Sequence, residues 1–395
     1  MDQGGIVMSN LQQLDTAYIA NTYKRFPITL THGKGSLVWD ENGKEYIDLG
    51  TGIAVNSFGY ADDVWTEAVV RQAQTLQHTS NLYYTEPCIR LAEMLCKHTG
   101  MRKVFFGNSG AEANECAIKV ARKYAAEQDS PERFTILTLK NSFHGRTLTT
   151  LAATGQEHYH ELFQPLTPGF AHVEAGNTAD LKAALDAQPV AALMIECIQG
   201  EGGVVPLDAA WAQEAERLVH AAGALLIVDE VQTGNGRTGA LYAYMNLGLH
   251  PDIVTTAKGL AGGLPLGAAL LSEKVQNVLS YGDHGSTFGG NPVCCAAACS
   301  VLSRIDDKLL AEVREKGEWL RQALTGKPGV IGVTGMGLML GIETERPCGE
   351  VVAECMANGV LCLTAKNKVR LLPALNIPFP LLQKAAGVIL AACGA

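Results

Sequence analysis

From about residue 51 to residue 300, short runs of nearly continuous apolar residues alternate with stretches of helical periodicity, and nothing else in the chain limits its fold so tightly. A strand with apolar residues on both sides must be covered on both faces. Strands separated by helices pair in parallel, so the segment predicts an α/β fold with a mainly parallel central sheet. Strands are expected at Lys103–Phe106, Phe134–Leu139, Val190–Glu196, Ala224–Val228, Asp252–Thr256 and Gly267–Leu271. Together they mark residues 51–300 as a large domain.

The flanks read differently. Before residue 50, GSLVWDENGKEYIDLG has the form of a hairpin about Asn42-Gly43, a pair suited to positive φ at both central turn positions. After residue 300 come a charged amphipathic helix (Lys308–Gln322), a Gly-rich strand (Ile331–Glu343), a helix around Glu350–Asn358, a strand near Val369–Leu372 and a terminal helix. Residues 301–395 are thus expected to form a smaller α+β domain. The segment 1–50 is too small to fold alone and is expected to pack with it.

Composition narrows the function. Apolar residues make up 47% of the chain and charged residues 18%, which supports a large core. With 40 acidic against 31 basic residues the net charge is −9, and no basic run offsets it, so no nucleic-acid partner is expected. No apolar stretch reaches the ~18–20 residues of a membrane span, so no membrane partner is expected. The start, MDQGGIVMSN, lacks the basic and apolar regions of a secretory signal, and Met8 is a second possible start. Eleven scattered cysteines without C-x-x-C read as small buried hydrophobes in a reducing cytoplasm. Ten dispersed histidines without H-x-x-x-H give no reason to expect a metal.

In open α/β sheets ligands bind beyond the carboxyl ends of the strands, so the residues after each strand carry the chemistry. GNSGAEANE (107–115) leads into a helix, and Ser109, Gly110 and Ala111 could form a phosphate cup or an ordinary capped turn. In NSFHGR (141–146), Phe143 could be an aromatic platform or core. Arg146 could be a carboxylate fork or a surface ion pair. DEVQTGNGRTG (229–239) matches G-x-G-x-x-G, but five residues separate the strand from the glycines and no helix clearly opens at the third, against a dinucleotide site. Asp229 stands where an apolar strand ends and needs a partner, cation or donor, which Lys258 after the next strand could supply. Lys258 is followed by GLAGGLPLG, an apolar and flexible run suited to enclosing an amine and lowering its pKa. A phosphate cup, an aromatic face, a carboxylate and an enclosed amine suit pyridoxal 5'-phosphate.

With FFGNSGAEANE, SFHGRT, ECIQGEGG, IVDEVQTGNGRTG, TTAKGLAGGLPLGA and HGSTFGGNP in order, the chain resembles the class III (ornithine-type) aminotransferases of fold type I, from about Tyr23 to Leu375. DEVQTGNGRTG, AKGLAGGLPLGA and GIAVNSFG resemble the acetylornithine branch more than the ornithine or 4-aminobutyrate branches. The resemblance implies transfer of an amino group between N-acetylornithine and the glutamate/2-oxoglutarate pair.

By the same resemblance Lys258 bonds the cofactor, Asp229 pairs with its ring nitrogen, and Ser109, Gly110 and Ala111 meet its phosphate. Phe143 and Val231 would cover its two faces and Gln232 its ring hydroxyl, with Glu230 counted in the same cofactor set. Arg146 would take the substrate's far carboxylate, Arg370 the α-carboxylate of glutamate, and Glu201 would pair with Arg370 when that carboxylate is absent. Ser286 would touch substrate, Thr287 would reach the phosphate in a neighbouring subunit of a homodimer, and Tyr23 would line the entrance. Cys197 and GYADD (59–63) depart from the family pattern. The competing reading keeps the cofactor and changes the substrate to ornithine, succinylornithine, succinyl-diaminopimelate or 4-aminobutyrate; an aminomutase or racemase is a further one, disfavoured by Arg146 and the Glu201/Arg370 pair.

Overall fold

The structure, a computed structural model, describes residues 10–394, so Met8 lies outside the described residues. Strands form at all six expected places in the large segment, joined by a seventh at Phe170–Val173. Their order across the sheet is Lys103–Gly107, Gly267–Leu271, Ile253–Thr256, Leu225–Asp229, Val190–Ile195, Thr135–Leu139 and Phe170–Val173. Gly267–Leu271 runs antiparallel to both neighbours, and the remaining pairs are parallel. The seventh strand escapes the apolar pattern because it is an edge strand, only half covered, with His172 in its middle. The five central strands are buried along their whole length, which is why their sequences lack alternation.

The hairpin forms between Leu37–Asp40 and Glu45–Asp48, but its turn differs from expectation. Gly43 alone has positive φ, at 77°. The Asp40 carboxylate explains this, because its Oδ1 accepts from the backbone N–H of both Asn42 and Lys44 at 2.9 Å and holds a longer loop than the two-residue turn. Glu45–Asp48 pairs in parallel with Val360–Leu361, so residues from the two ends of the chain share one sheet with Leu30–Lys34.

The run Ile331–Glu343, expected as one strand, is a hairpin of Val330–Met336 and Met339–Thr344 that reverses at Gly337–Leu338. It pairs through Met339–Thr344 with Lys368–Leu371, the strand that carries Arg370. The expected helices occupy Asp307–Leu324, Cys348–Ala357 and Phe379–Cys393. No described helix is long and apolar enough to cross a membrane.

Thr51, Gly52, Ile53 and Ala54 all have positive φ, between 48° and 67°, forming one left-handed turn. L-residues avoid this conformation, so something must hold it. The buried Asp48 carboxylate accepts from Gly50 N at 2.7 Å and Thr51 N at 3.0 Å, and Thr51 Oγ1 donates to Leu372 O at 2.6 Å. Ser57, just beyond the turn, donates to Gly259 O at 2.9 Å. The turn thereby ties the segment after Arg370 to the segment after Lys258.

Candidate active site

The carboxyl ends of the parallel strands converge on a cavity of about 540 Å³. Ser109, Gly110, Ala111, Phe143, Arg146, Asp229, Val231, Gln232 and Lys258 all line it, although they come from four separate strand-to-helix connections. Leu264, Pro265 and Leu266 close one side at the amino end of the antiparallel strand.

The helix Gly110–Gln128 opens into this cavity. Ser109 caps it, accepting from Glu112 N at 3.2 Å and donating to Glu112 Oε2 at 2.9 Å. The turn is therefore capped as an ordinary helix start, and its amino end, with a partial positive charge, faces the same space. Gly110 is required sterically: a Cβ there would come within 2.7 Å of the Val231 side chain.

Asp229 ends its strand almost fully buried, and its partners are not Lys258. Its Oδ2 lies 2.8 Å from His144 Nδ1 and accepts from Asn114 Nδ2 at 2.8 Å, while Oδ1 accepts from Val231 N at 3.0 Å. The correction has a plain cause. A buried carboxylate takes the nearest donors, and the loop after Thr135–Leu139 and the first turns of the capped helix deliver them. Both residues stand inside quoted motifs without an assigned role. Asn114 could have been found, because it lies four residues after Gly110 and so on the helix face that meets the cavity.

Lys258 lies at φ 46° on a tight turn, its amine without a hydrogen-bond partner among the described residues. Burial pushes its pKa below the ordinary lysine value, against the opposing pull of Glu201. Glu196, also absent from the expected set, lines the cavity and accepts from Phe143 N at 3.0 Å and Gly200 N at 3.3 Å. Burial raises its carboxyl to about 7.

Arg370 is 3% exposed, and its Nη1 lies 2.5 Å from Glu201 Oε1 and donates to Gln232 Oε1 at 3.1 Å. Burial pulls the Glu201 carboxyl up, but the Arg370 charge and hydrogen bond, with Lys258 and Gln232, together hold it below the ordinary value. Gln232 links this ion pair to the cavity it lines.

Not every expected residue is brought together. Glu230 turns away from the cavity, because its carboxylate is taken by Tyr244 N at 2.7 Å and Thr233 Oγ1 at 2.6 Å in the core beneath. Tyr23 is exposed and packs beside Arg25, outside the cavity lining. Ser286 accepts from Asn108 Nδ2 at 3.1 Å and, with Thr287, lines a separate surface depression beside His78, Ser80 and Asn81.

The sequence profile of the class-III aminotransferases matches residues 18–392. The chain is a class-III aminotransferase. It is 51% identical to the acetylornithine aminotransferase of Haemophilus ducreyi, over 96% of this chain and 97% of that one. Among solved structures, the ornithine aminotransferase of Toxoplasma gondii superposes with a TM-score of 0.92 at 33% identity, covering 96% of this chain and 93% of that one. The N-acetylornithine aminotransferase of Stenotrophomonas maltophilia gives 0.83 at 34% identity, over 97% and 98%. The class-III fold is fold type I, and the cofactor is pyridoxal 5'-phosphate.

This aminotransferase has a cavity whose chemistry fits that group. A helix start free of side-chain bulk at Gly110 suits a phosphate, the buried Asp229 suits a protonated ring nitrogen, and an amine with no partner of its own waits at Lys258.

Proposed function

We propose that this enzyme transfers the δ-amino group of N2-acetyl-L-ornithine to 2-oxoglutarate, giving N-acetyl-L-glutamate 5-semialdehyde and L-glutamate in a reversible ping-pong reaction that serves arginine biosynthesis. The observation that carries this reading is the Arg370–Glu201 ion pair beside an unpaired Arg146. Glutamate brings two carboxylates to the site. N-acetylornithine brings one, far from its reacting carbon, so the second cation must be masked when that amine binds. A guanidinium left buried and unpaired would cost several kcal/mol, on the order of 3–5. Glu201 supplies the mask, and the names of the full-length relatives support the acetylated substrate.

The protein's own part in the chemistry follows from its side chains. When bound, pyridoxal phosphate supplies an aldehyde for the amine and a sink for the electrons left when a Cα–H bond or its δ-carbon equivalent is broken. Asp229 would stabilise positive charge on the ring nitrogen, and His144 and Asn114 keep its carboxylate aimed. Lys258, its charged form disfavoured by burial, would hold the cofactor through its amine and, when released, would carry the proton at Nζ as base and then acid. Phe143 and Val231 would flank the cofactor ring, Gln232 would meet its hydroxyl, and the helix start at Gly110 and Ala111 beside Ser109 would hold its phosphate.

The active unit is a homodimer in the cytoplasm. Tyr23, Ser286 and Thr287 lie outside the protomer's own cavity, which supports their acting at a subunit boundary, and all eleven cysteines are free thiols, as in a reducing compartment. Residues 51–300 serve as the cofactor domain, and 301–395 with 1–50 as the smaller unit.

The test is Glu201→Ala. The half-reaction with acetylornithine should slow by tenfold or more while the glutamate half-reaction changes little, read from the cofactor's absorbance. Equal losses would count against the mask. Free ornithine belongs in the panel, because the Toxoplasma enzyme superposes more closely than the acetylornithine enzyme does.

A further inference from the structure

Among the described residues Arg146 is the only arginine whose guanidinium has no oxygen partner. Every other arginine meets a carboxylate or a backbone carbonyl. It is nevertheless not loose. Its charge lies 4.8 Å from the centroid of the Tyr159 ring and 5.5 Å from that of Phe143, and these two rings meet edge to face at 5.9 Å. Phe143 and Arg146 line the cavity. Tyr159 does not: it belongs to the short turn Glu157–Tyr159 and lines the neighbouring polar cavity, with His158 packed behind it at 3.9 Å.

We propose that Tyr159 is a positioning residue that fixes the guanidinium of Arg146 for the substrate's distal carboxylate, and thereby sets the preference for dicarboxylic over monocarboxylic oxo acids. The inference rests on the carboxylate role of Arg146 given above. An arginine paired to a protein carboxylate would have to break that pair before binding substrate. One left in water would lose the freedom of a long side chain on binding. Aromatic faces solve both problems, because they hold the cation through the ring's negative face and leave its N–H edge free for a carboxylate. Two rings at an edge-to-face angle also fix the plane of the fork. Tyr159, which lines the neighbouring cavity, is thus the support of the group that reads substrate length.

The holoenzyme can be tested with 2-oxoglutarate and with pyruvate, which lacks the distal carboxylate, as amino acceptors. Tyr159→Leu should raise the KM for 2-oxoglutarate roughly two- to fivefold, the range of a cation–π contact at an exposed arginine, with kcat, cofactor absorbance and the KM for pyruvate unchanged. Tyr159→Phe keeps the ring and should behave as the parent enzyme. In an Arg146→Gln background Tyr159→Leu should have no further effect. Equal losses with both acceptors, or added loss in the double variant, would make Tyr159 a general structural residue and overturn the proposal. If Arg146→Gln alone shifts the 2-oxoglutarate to pyruvate ratio and Tyr159→Leu does not, the proposal falls while the role of Arg146 stands. If Arg146→Gln leaves that ratio unchanged, both fall together.

Discussion

Asp229 shows what a single residue discloses and withholds. Its position at the end of an apolar strand is enough to say that it must have a partner. The partners themselves, His144 and Asn114, stand 85 and 115 residues away, and only the packed fold brings them within 2.8 Å. Glu230 shows the opposite error. It adjoins Asp229 in the sequence, but successive residues point in different directions, and its carboxylate ends in the core, where burial raises it to about 7 from an ordinary 4.5. Between those values the folded protein holds a proton that the unfolded chain has lost. This group therefore contributes its full stability below the unfolded value, and the contribution falls as pH rises toward 7. At about 1.4 kcal/mol per pKa unit, the full fall is roughly 3–4 kcal/mol. Glu230→Gln removes that titration. Urea midpoints between pH 5 and pH 8 should decline less steeply for the variant than for the parent, with Glu196 leaving some slope in both. Parallel slopes would show that Glu230 does not carry this proton.

At the scale of elements, legibility followed periodicity. The central strands could be read because full burial forces continuous apolar runs. The Val330–Thr344 hairpin could not, because Gly337, the glycine that opens its turn, does not stand out from Gly332, Gly335 and Gly341 spread along both strands. The left-handed turn Thr51–Ala54 was beyond reach for a stronger reason. Thr and Ile disfavour that conformation, and Asp48 and Leu372 impose it from outside the segment. A smaller case of the same conflict is open to experiment. Leu363–Ala365 and Lys368–Leu371 are joined by Lys366-Asn367, and Lys366 sits at φ 51°, where a two-residue turn favours glycine. Lys366 is exposed, and its contact to Asn141 Oδ1 is a surface hydrogen bond, worth little. Lys366→Gly should therefore stabilise the protein by about 1 kcal/mol, as relief of the backbone exceeds the added entropy of the unfolded chain. A raised urea midpoint is the expected reading, and a lowered one would show that the lysine side chain matters more than its backbone.

For the whole molecule, the protomer brings most of the expected site residues to one cavity, but not all of them. The residues that line the cavity came from motifs scattered over some 150 positions, and the order of strand ends was enough to anticipate their meeting. Ser286, Thr287 and Tyr23 could not be placed by that logic, since a rule about strand ends within one sheet says nothing of a second copy. If Thr287 of one subunit serves the cofactor phosphate of the other, the two functions must separate genetically. Lys258→Ala and Thr287→Asp should each give a homodimer with little activity, the first for lack of the amine and the second because its carboxylate repels the phosphate. In a mixed dimer one site would carry both defects and the other neither. Co-expression of the two variants in equal amounts should then restore about a quarter of parental activity, since half the dimers are mixed and half the sites in those are intact. Restoration requires that the lysine and the threonine of a working site come from different chains. If the mixture stays as inactive as its components while gel filtration shows dimers exchanging subunits, Thr287 acts within its own protomer and the shared site is wrong.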